Sequence, residues 1–455
     1  MISSFLFTTA SFIIALGILI TVHEFGHFWV AKKLGVKVLR FSVGFGKPLL
    51  KYTEKRDGTE FVVAAIPLGG YVKMLDEREG EVPPEEVHRA FNRQTVAVRS
   101  AIVAAGPLFN FMFAFFAYWA IFVSGESGLR PLVGTVEPAS VAEVAGFKPD
   151  DELLSISDRA TPTWEKALDA FLAESLREDE LKVLVKDSRG YESTYLLPQG
   201  ILSELSAEKN IFDLLGISPK RPVVPPVIGE VLSGEAADRA GLLSGDRIVS
   251  VDGEEVASWA EWVGYIQKHP DQQLELEIER AGSFLALPLI TSSRQQGEKK
   301  IGRIGASVDM PEALYEGYKR VVHYGPLEAA GESVKKIADL SWLMVKMMGR
   351  MLTGQASVEN LSGPISIAES AGKSASYGPI YFLKFLAIIS ISLGVLNLFP
   401  IPILDGGHLL YFLIEAIKGS PVSEQVMIQG QKIGIVLLLS LMMVAFYVDI
   451  GRLLK

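Results

Sequence analysis

Phe5-Leu6-Phe7-Thr8-Thr9-Ala10-Ser11-Phe12-Ile13-Ile14-Ala15-Leu16-Gly17-Ile18-Leu19-Ile20-Thr21-Val22-His23-Glu24-Phe25-Gly26-His27-Phe28-Trp29-Val30-Ala31 is the stretch on which the reading of this chain turns. Phe5 to Val22 is apolar or hydroxylic throughout. A polar insert follows, and the apolar run resumes from Phe28 to Ala31. A bilayer core takes about 20 apolar residues, so the stretch reads as a membrane span with His23, Glu24 and His27 set into it. Three further runs match it. Ser100–Gly125 carries no charge, Phe385–Ile403 is uncharged and leads into Leu404, and Ile433–Val448 ends at Asp449. The alternative, four buried core helices, suits segments of this length poorly. A cleaved signal peptide fits no better, because Met1 to Ser4 carries no Lys or Arg and no small-residue cleavage site precedes the insert.

Basic residues follow the first span: Lys32, Lys33, Lys37 and Arg40. Short Lys/Arg-rich loops stay cytoplasmic. The N-terminus is therefore expected outside and the loop from Ala31 to Arg99 inside. By parity, everything from about Glu126 to Gly378 is extracytoplasmic and Lys455 lies outside. Lys384, near the outer end of the third span, would snorkel.

Composition narrows the function. The 455 residues have a formal net charge of -9, which argues against a nucleic-acid binder that works by neutralising phosphates. Mean hydropathy is +0.28, and the excess is concentrated in the four runs. The absence of cysteine excludes a disulfide framework, a thiol nucleophile and any thiolate metal site. A metal ion would have to be held by histidine, carboxylate or solvent.

An internal repeat occupies the region between the second and third spans. Val133-Gly134-Thr135-Val136 matches Ile228-Gly229-Glu230-Val231. At one constant offset Ala145-Gly146 matches Ala240-Gly241, Asp151 matches Asp246, Ser155 matches Ser250 and Trp164 matches Trp259. Matches in register over such a length indicate two copies of one domain. The pattern resembles the bacterial, circularly permuted PDZ domain, more closely in the second copy. In the first, Asp150 stands for Gly245 and Ser157-Asp158 for Asp252-Gly253. PDZ domains bind extended peptides by strand addition, so a peptide ligand is one expectation and a steric filter over the membrane site the other. Beyond the repeats, Ser341–Met348 suits a helix on the outer membrane surface or one packed on the PDZ pair. The expected segments are 1–125, with two spans and the polar insert; 126–220 and 221–310, the PDZ domains; 311–378, amphipathic helices; and 379–455, the last two spans.

His23-Glu24-Phe25-Gly26-His27 is an HExxH motif. On a helix, residues i and i+4 share a face, so both imidazoles can reach one metal ion, and Glu24 stands close enough to take a proton from a bound water. Ionisable groups within a span are functional by default. A zinc site needs a third protein ligand. Asp405, in Asn397-Leu398-Phe399-Pro400-Ile401-Pro402-Ile403-Leu404-Asp405-Gly406-Gly407-His408, is the sole acid near the inner end of the third span, and parity sets it at the depth of His23 and His27. Pro400, Pro402, Gly406 and Gly407 would break the helix there. His408 is a lesser alternative ligand.

HExxH in a first span with Asn-x-x-Pro-x-Pro-x-Leu-Asp-Gly in a later one resembles the site-2 protease family of intramembrane zinc proteases. The tandem PDZ pattern narrows the resemblance to the bacterial sigma-E-regulating, RseP-type branch, which Pro67–Met74 and Leu361–Ile365 also resemble. The resemblance implies a polytopic α-helical membrane protein with four transmembrane helices, a membrane-associated β-hairpin region and two extracytoplasmic α+β PDZ domains. It implies Zn²⁺ held by His23, His27 and Asp405, with Glu24 as general base and Asn397 on the substrate backbone or the developing oxyanion. The implied substrates are single-span membrane proteins of the anti-sigma-factor type, with signal-peptide remnants as a further class. The implied setting is the bacterial inner membrane and a stress response, with the active site near the cytoplasmic face. Val38–Met74 contains strand-like runs around Gly44-Phe45-Gly46, which are expected to pair with extended substrate as an added strand. Two other classes compete: a non-enzymatic PDZ membrane scaffold with a structural metal site, and a transporter. A transporter would spread polar groups along several spans, whereas here they gather at one end of two.

Overall fold

The computed structural model describes residues 2–174, 180–198, 211–296, 299–309, 311–353 and 363–454. The described residues form two compact units, one within 2–126 and 322–454, the other within 127–198 and 211–321.

The first apolar run forms one continuous helix, α1 (Ile2–Lys33), through the polar insert to a turn at Gly35 (φ +82°). Strands β1 (Val38–Thr53) and β2 (Glu60–Met74) follow, and the expected hairpin is more elaborate than two strands side by side. β1 bends at Gly44 and Gly46, whose φ values of +94° and +89° suit glycine. Its first half then pairs twice with β2: Phe41 lies opposite both Val72 and Phe61, and Val43 opposite both Gly70 and Val63. Its second half pairs Tyr52 with Phe61 and Thr53 with Glu60. Leu49, Leu50, Tyr52 and Ile66 are exposed on this sheet. An apolar surface of that kind suits lipid better than water. Lys32 is hydrogen-bonded to Glu54, and Arg89 to Asp57 at 2.8 Å, tying the far turn of the sheet to the end of α1 and the loop beyond β2. α2 (Val96–Ser124) starts with Thr95 accepting from the Val98 amide and ends at Gly125 (φ +95°).

After β3 (Glu126–Leu129) the second unit lays out the repeat. Its first copy runs β4 (Val133–Val136), α3 (Val141–Ala145), β5 (Glu152–Ile156), β6 (Arg159–Ala160), α4 (Trp164–Glu174), β7 (Leu181–Lys186) and β8 (Glu192–Leu197), then α5 (Ile211–Leu215) and β9 (Ile217–Pro219). Its second runs β10 (Ile228–Val231), α6 (Ala236–Arg239), β11 (Arg247–Val251), β12 (Glu254–Glu255), α7 (Trp259–Lys268), β13 (Gln273–Arg280) and β14 (Ser283–Ile290), then β15 (Ser292–Gln296), β16 (Lys299–Arg303) and β17 (Ala306–Val308). The sheets correspond strand for strand: β6-β5-β7-β8 against β12-β11-β13-β14, and β4-β9 against β10-β17. Each copy is thus an α+β domain of the PDZ kind. Asp150 (φ +72°) sits in the left-handed region that Gly245 (φ +91°) occupies, and Ser157 (φ +51°) matches Asp252 (φ +46°).

β18 (Lys319–Val322) leads into α8 (Pro326–Leu352), α9 (Pro364–Ser376), α10 (Pro379–Leu398), α11 (Asp405–Lys418) and α12 (Glu424–Leu454). Among the described residues, four helices are long and apolar enough to cross a membrane: α1, α2, α10 and α12. α8 packs Ile337, Leu340 and Met344 against α2 and α10, around Ala117, Ile121, Phe122 and Ile391. Two charged side chains inside this unit are matched by specific partners. Lys384 ends on Glu126 at 2.6 Å rather than extending to open water. Asp449 of α12 accepts the amides of Gly363, Ile365 and Ser366 at 3.1, 2.9 and 3.2 Å, and so caps α9 from another helix. Leu361 and Ser362 of the Leu361–Ile365 motif lie outside the described residues.

Candidate metal centre

α1 carries His23 and His27 one turn apart, and their Nε2 atoms lie 3.3 Å from each other. Asp405 completes the group: its Oδ2 is 3.2 Å from His23 Nε2 and 3.5 Å from His27 Nε2. Three donor atoms spaced in this way fit a single small cation. Bonds of about 2.0–2.1 Å to tetrahedral zinc would separate neighbouring donors by about 3.3–3.4 Å. Asp405 Oδ2 is also buried with no hydrogen-bond partner, a costly condition that a bound cation would relieve. The donor set therefore suits zinc, with nitrogen and oxygen ligands and no sulfur.

Asp405 does not lie on the third span. α10 ends at Leu398, a loop with Pro400 and Pro402 follows, and Asp405 is the first residue of the separate helix α11. The two glycines after it start that helix rather than break one. A Cβ on Gly406 would fall 2.3 Å from the carbonyl oxygens of Leu398 and Phe399, and one on Gly407 would fall 2.3 Å from that of Ile401. The loop can fold back on α11 only over bare backbone. At its other end α11 is held by Glu415, paired with Arg99 of α2 at 2.6 Å, while the Arg99 guanidinium lies 4.9 Å from the Phe412 ring centroid.

α2 supports the histidines through residues the sequence analysis did not single out. The Ile102 carbonyl accepts from His27 Nδ1 at 2.9 Å, which leaves the Nε2 lone pair facing the centre. A Cβ on Gly106 would fall 2.3 Å from His27 Nε2 and 2.7 Å from His23 Cε1. A Cβ on Gly26 would meet the Ala105 carbonyl oxygen at 2.4 Å, so the two helices touch here through glycine on both sides. Gly106 was detectable in principle, because a glycine inside an apolar helix carries a cost that packing must offset.

Glu24 borders a cavity of 310 Å³ that it shares with His27, Asp405, His408, Val72 and Arg78. Val72 of β2 lines the same cavity, so β2 reaches the centre directly. Gly70 is equally close: a Cβ there would fall 3.0 Å from Glu24 Cγ. Of the residues expected at the site, His23, Glu24, His27 and Asp405 come together. Asn397, in the last turn of α10, does not line this cavity and makes no side-chain hydrogen bond to another described residue. Gly44-Phe45-Gly46 also lies outside its lining. There the Phe45 ring stacks on Tyr71 at 6.2 Å and covers Gly69.

Membrane-length helices that enclose an HExxH pair and a carboxylate beside a small polar cavity define the class: a membrane metalloprotease. The comparisons agree, and the chain belongs to peptidase family M50, whose family model matches residues 11–441. It is 46% identical over 454 residues to the "Regulator of sigma-E protease RseP" of Salmonella typhimurium (strain 14028s / SGSC 2262), covering 99% of this chain and 100% of that one. It is 46% identical over 465 residues to the protein of that name from Escherichia coli (strain K12), with the same coverage. A Vibrio cholerae relative, provisionally described as a zinc metalloprotease, is 43% identical over 446 residues, covering 97% of this chain and 98% of that one.

Proposed function

We propose that this metalloprotease is a zinc-dependent intramembrane endopeptidase that cuts the membrane segments of single-span proteins. The observation that carries the reading is the meeting of His23, His27 and Asp405 within 3.2–3.5 Å, one residue along α1 from Glu24. His23, His27 and Asp405 hold the ion. A bound zinc ion supplies Lewis acidity and lowers the pKa of a coordinated water to about 7. Glu24 takes the proton of the attacking water and returns it to the leaving amine. Asn397 holds the substrate backbone, and the strands around Gly44–Gly46 offer an extended substrate an edge. The relatives' description as regulators of sigma-E supports a substrate of the anti-sigma-factor type, with the repeat pair acting as a size filter. Positive charge after α1 supports an inner-membrane topology with both termini and the repeats outside, and with the centre near the cytoplasmic side.

Glu24→Gln tests the assignment. In proteoliposomes carrying a single-span substrate, cleavage is expected to fall by roughly 10²–10⁴-fold, while metal analysis finds the ion retained. Asp405→Ala is expected to lose the ion itself. Full activity in Glu24→Gln, or stoichiometric metal in Asp405→Ala, would overturn the proposal.

A further inference from the structure

Asn110 sits in the middle of α2 with its side chain wholly buried, in a run that carries no charge. Its amide nitrogen lies 3.2 Å from His23 Nδ1, its amide oxygen is buried without a partner, and its main-chain carbonyl accepts from Ser390 Oγ of α10 at 2.8 Å. The two ends of an amide have nearly the same shape, and the hydrogen-bond network decides which end faces which neighbour. The two orientations set opposite tautomers of His23. With Oδ1 toward the ring, His23 Nδ1–H donates to it and the buried oxygen is satisfied. The His23 proton is then on Nδ1, and Nε2 turns its lone pair toward His27 Nε2 and Asp405 Oδ2. With the NH₂ end toward the ring, the proton moves to Nε2, where it blocks the centre.

We infer that Asn110 is a positioning residue whose amide oxygen sets the tautomer of His23, leaving His23 Nε2 free as a metal ligand. The inference rests on the metal centre proposed above. It gives α2 a consistent role. Ile102, Gly106 and Asn110 follow at intervals of four and share one helix face. Ile102 offers its carbonyl to His27, Gly106 leaves room for both rings, and Asn110 does for His23 what Ile102 does for His27. The difference is practical: the partner of His27 is backbone and cannot be substituted, whereas the partner of His23 is a side chain. Asn110 also brings no charge, so Asp405 remains the one anionic group in the set.

The test uses the full-length protein in detergent, with zinc affinity measured by competition with a chelator. Asn110→Leu keeps the volume and removes the acceptor, and is expected to weaken zinc binding by roughly 10–100-fold. Asn110→Asp supplies an acceptor and no donor, and is expected to restore affinity to within a few-fold of wild type. Zinc binding at wild-type strength in Asn110→Leu, or a loss in Asn110→Asp as large as that in Asn110→Leu, would overturn the inference. A readout on the metal-free wild type guards against variants that fail to fold. Ring ¹⁵N shifts of His23, assigned by comparison with His23→Gln, should show Nδ1 protonated, and a proton on Nε2 counts against Asn110. His23→Ala separates the two levels: metal still bound there would remove the centre itself and not only its support.

Discussion

The two repeats of the second unit share one plan and carry opposite electrostatics at a single buried carboxylate. Asp151 and Asp246 occupy the same place, both about 1 % exposed, and each accepts the backbone amide three residues earlier, Lys148 at 2.9 Å and Leu243 at 2.8 Å. Strand pairing sets Lys186 opposite Glu152 and Glu279 opposite Arg247, so Asp187 of the first repeat holds the place of Arg280 in the second. Arg280 grips Asp246 with two nitrogens, at 2.7 and 2.6 Å, and donates to the Gly241 carbonyl at 2.7 Å. In the first repeat Asp151 has the Tyr195 hydroxyl and faces a second carboxylate instead. Burial raises the Asp151 pKa, and neighbouring Asp187 adds to the rise. Burial pushes Asp246 up as well, but the Arg280 guanidinium and the Leu243 amide outweigh it and hold the carboxyl below its usual range. One backbone plan therefore carries opposite electrostatics, because the plan specifies an acid at this corner and leaves its partner open.

The largest expected difference between the repeats is in packing. Trp262 is among the largest fully buried side chains, and its counterpart in the first repeat is the buried Ala167. One helical turn on, the sizes reverse, with Ile266 against Phe171. Trp262→Ala should destabilise the second repeat by about 3–5 kcal/mol. Hydrogen exchange of the β11 and β13 amides should quicken by roughly two to three orders of magnitude, with β5 and β7 unchanged. Adding Ile266→Phe copies the arrangement of the first repeat and should recover part of the loss. An equal loss in both repeats from Trp262→Ala alone would break the comparison.

The carboxylates come next, and they predict a sign. The pKa of Asp246 is depressed on folding, so its contribution is fully present above the unfolded value of about 3.9 and is lost as pH falls through the folded value. The pKa of Asp151 is raised, so ionisation opposes folding as pH rises past about 3.9. At pH 7, Asp246→Asn should destabilise the second repeat, while Asp151→Asn should leave the first unchanged or more stable. The Asp151 difference should shrink as the pH is lowered to about 4, whereas the Asp246 difference should persist to about pH 4 and shrink only below it. Local unfolding read by hydrogen exchange, corrected for intrinsic rate, measures this. The same sign for both variants at pH 7 would contradict the assignment of partners.

The repeat and the meeting of His23, His27 and Asp405 were legible in the sequence for different reasons. Ala145-Gly146 against Ala240-Gly241 and Asp151 against Asp246 keep one register, so the shared plan followed without contacts. Arg280 and Asp187 did not stand out, because their equivalence depends on strand pairing. His23, Glu24 and His27 were readable from helical spacing, and Asp405 from being the one acid at the right depth. Its place at the head of α11 was not readable, because the apolar run continues past Leu398 and only the close approach of Gly406 to the Leu398 carbonyl shows where the chain turns. Ile102 contributes a backbone carbonyl, to which side-chain identity gives no clue. The bend of β1 at Gly44 and Gly46 gave its sheet twice the expected pairings, because glycine patterns mark a turn without stating what the turned chain will meet.

The smallest expected effect concerns the turn before the shared acid. Gly245 (φ +91°) and Asp150 (φ +72°) hold the same left-handed conformation. A Cβ at Gly245 would meet nothing within 4 Å, so only backbone strain opposes a side chain there. Gly245→Ala should cost the second repeat about 1–2 kcal/mol, the usual penalty for an ordinary L-residue in this region. Gly245→Asp should cost less, because Asp tolerates the left-handed region by hydrogen-bonding its own backbone. Asp150→Gly removes the strain in the first repeat, but it also frees the unfolded chain and deletes the pair with Lys220, so the net change should stay within about 1 kcal/mol. Exchange of the Gly245 amide, which donates to Ile228 O at 2.8 Å, reports the second repeat, and the Asp150 amide, which donates to Val133 O at 2.9 Å, reports the first. If Gly245→Asp proves as costly as Gly245→Ala, the tolerance at Asp150 comes from Lys220 and not from aspartate itself. The two repeats would then differ in how this turn is held as well as in the acid that follows it.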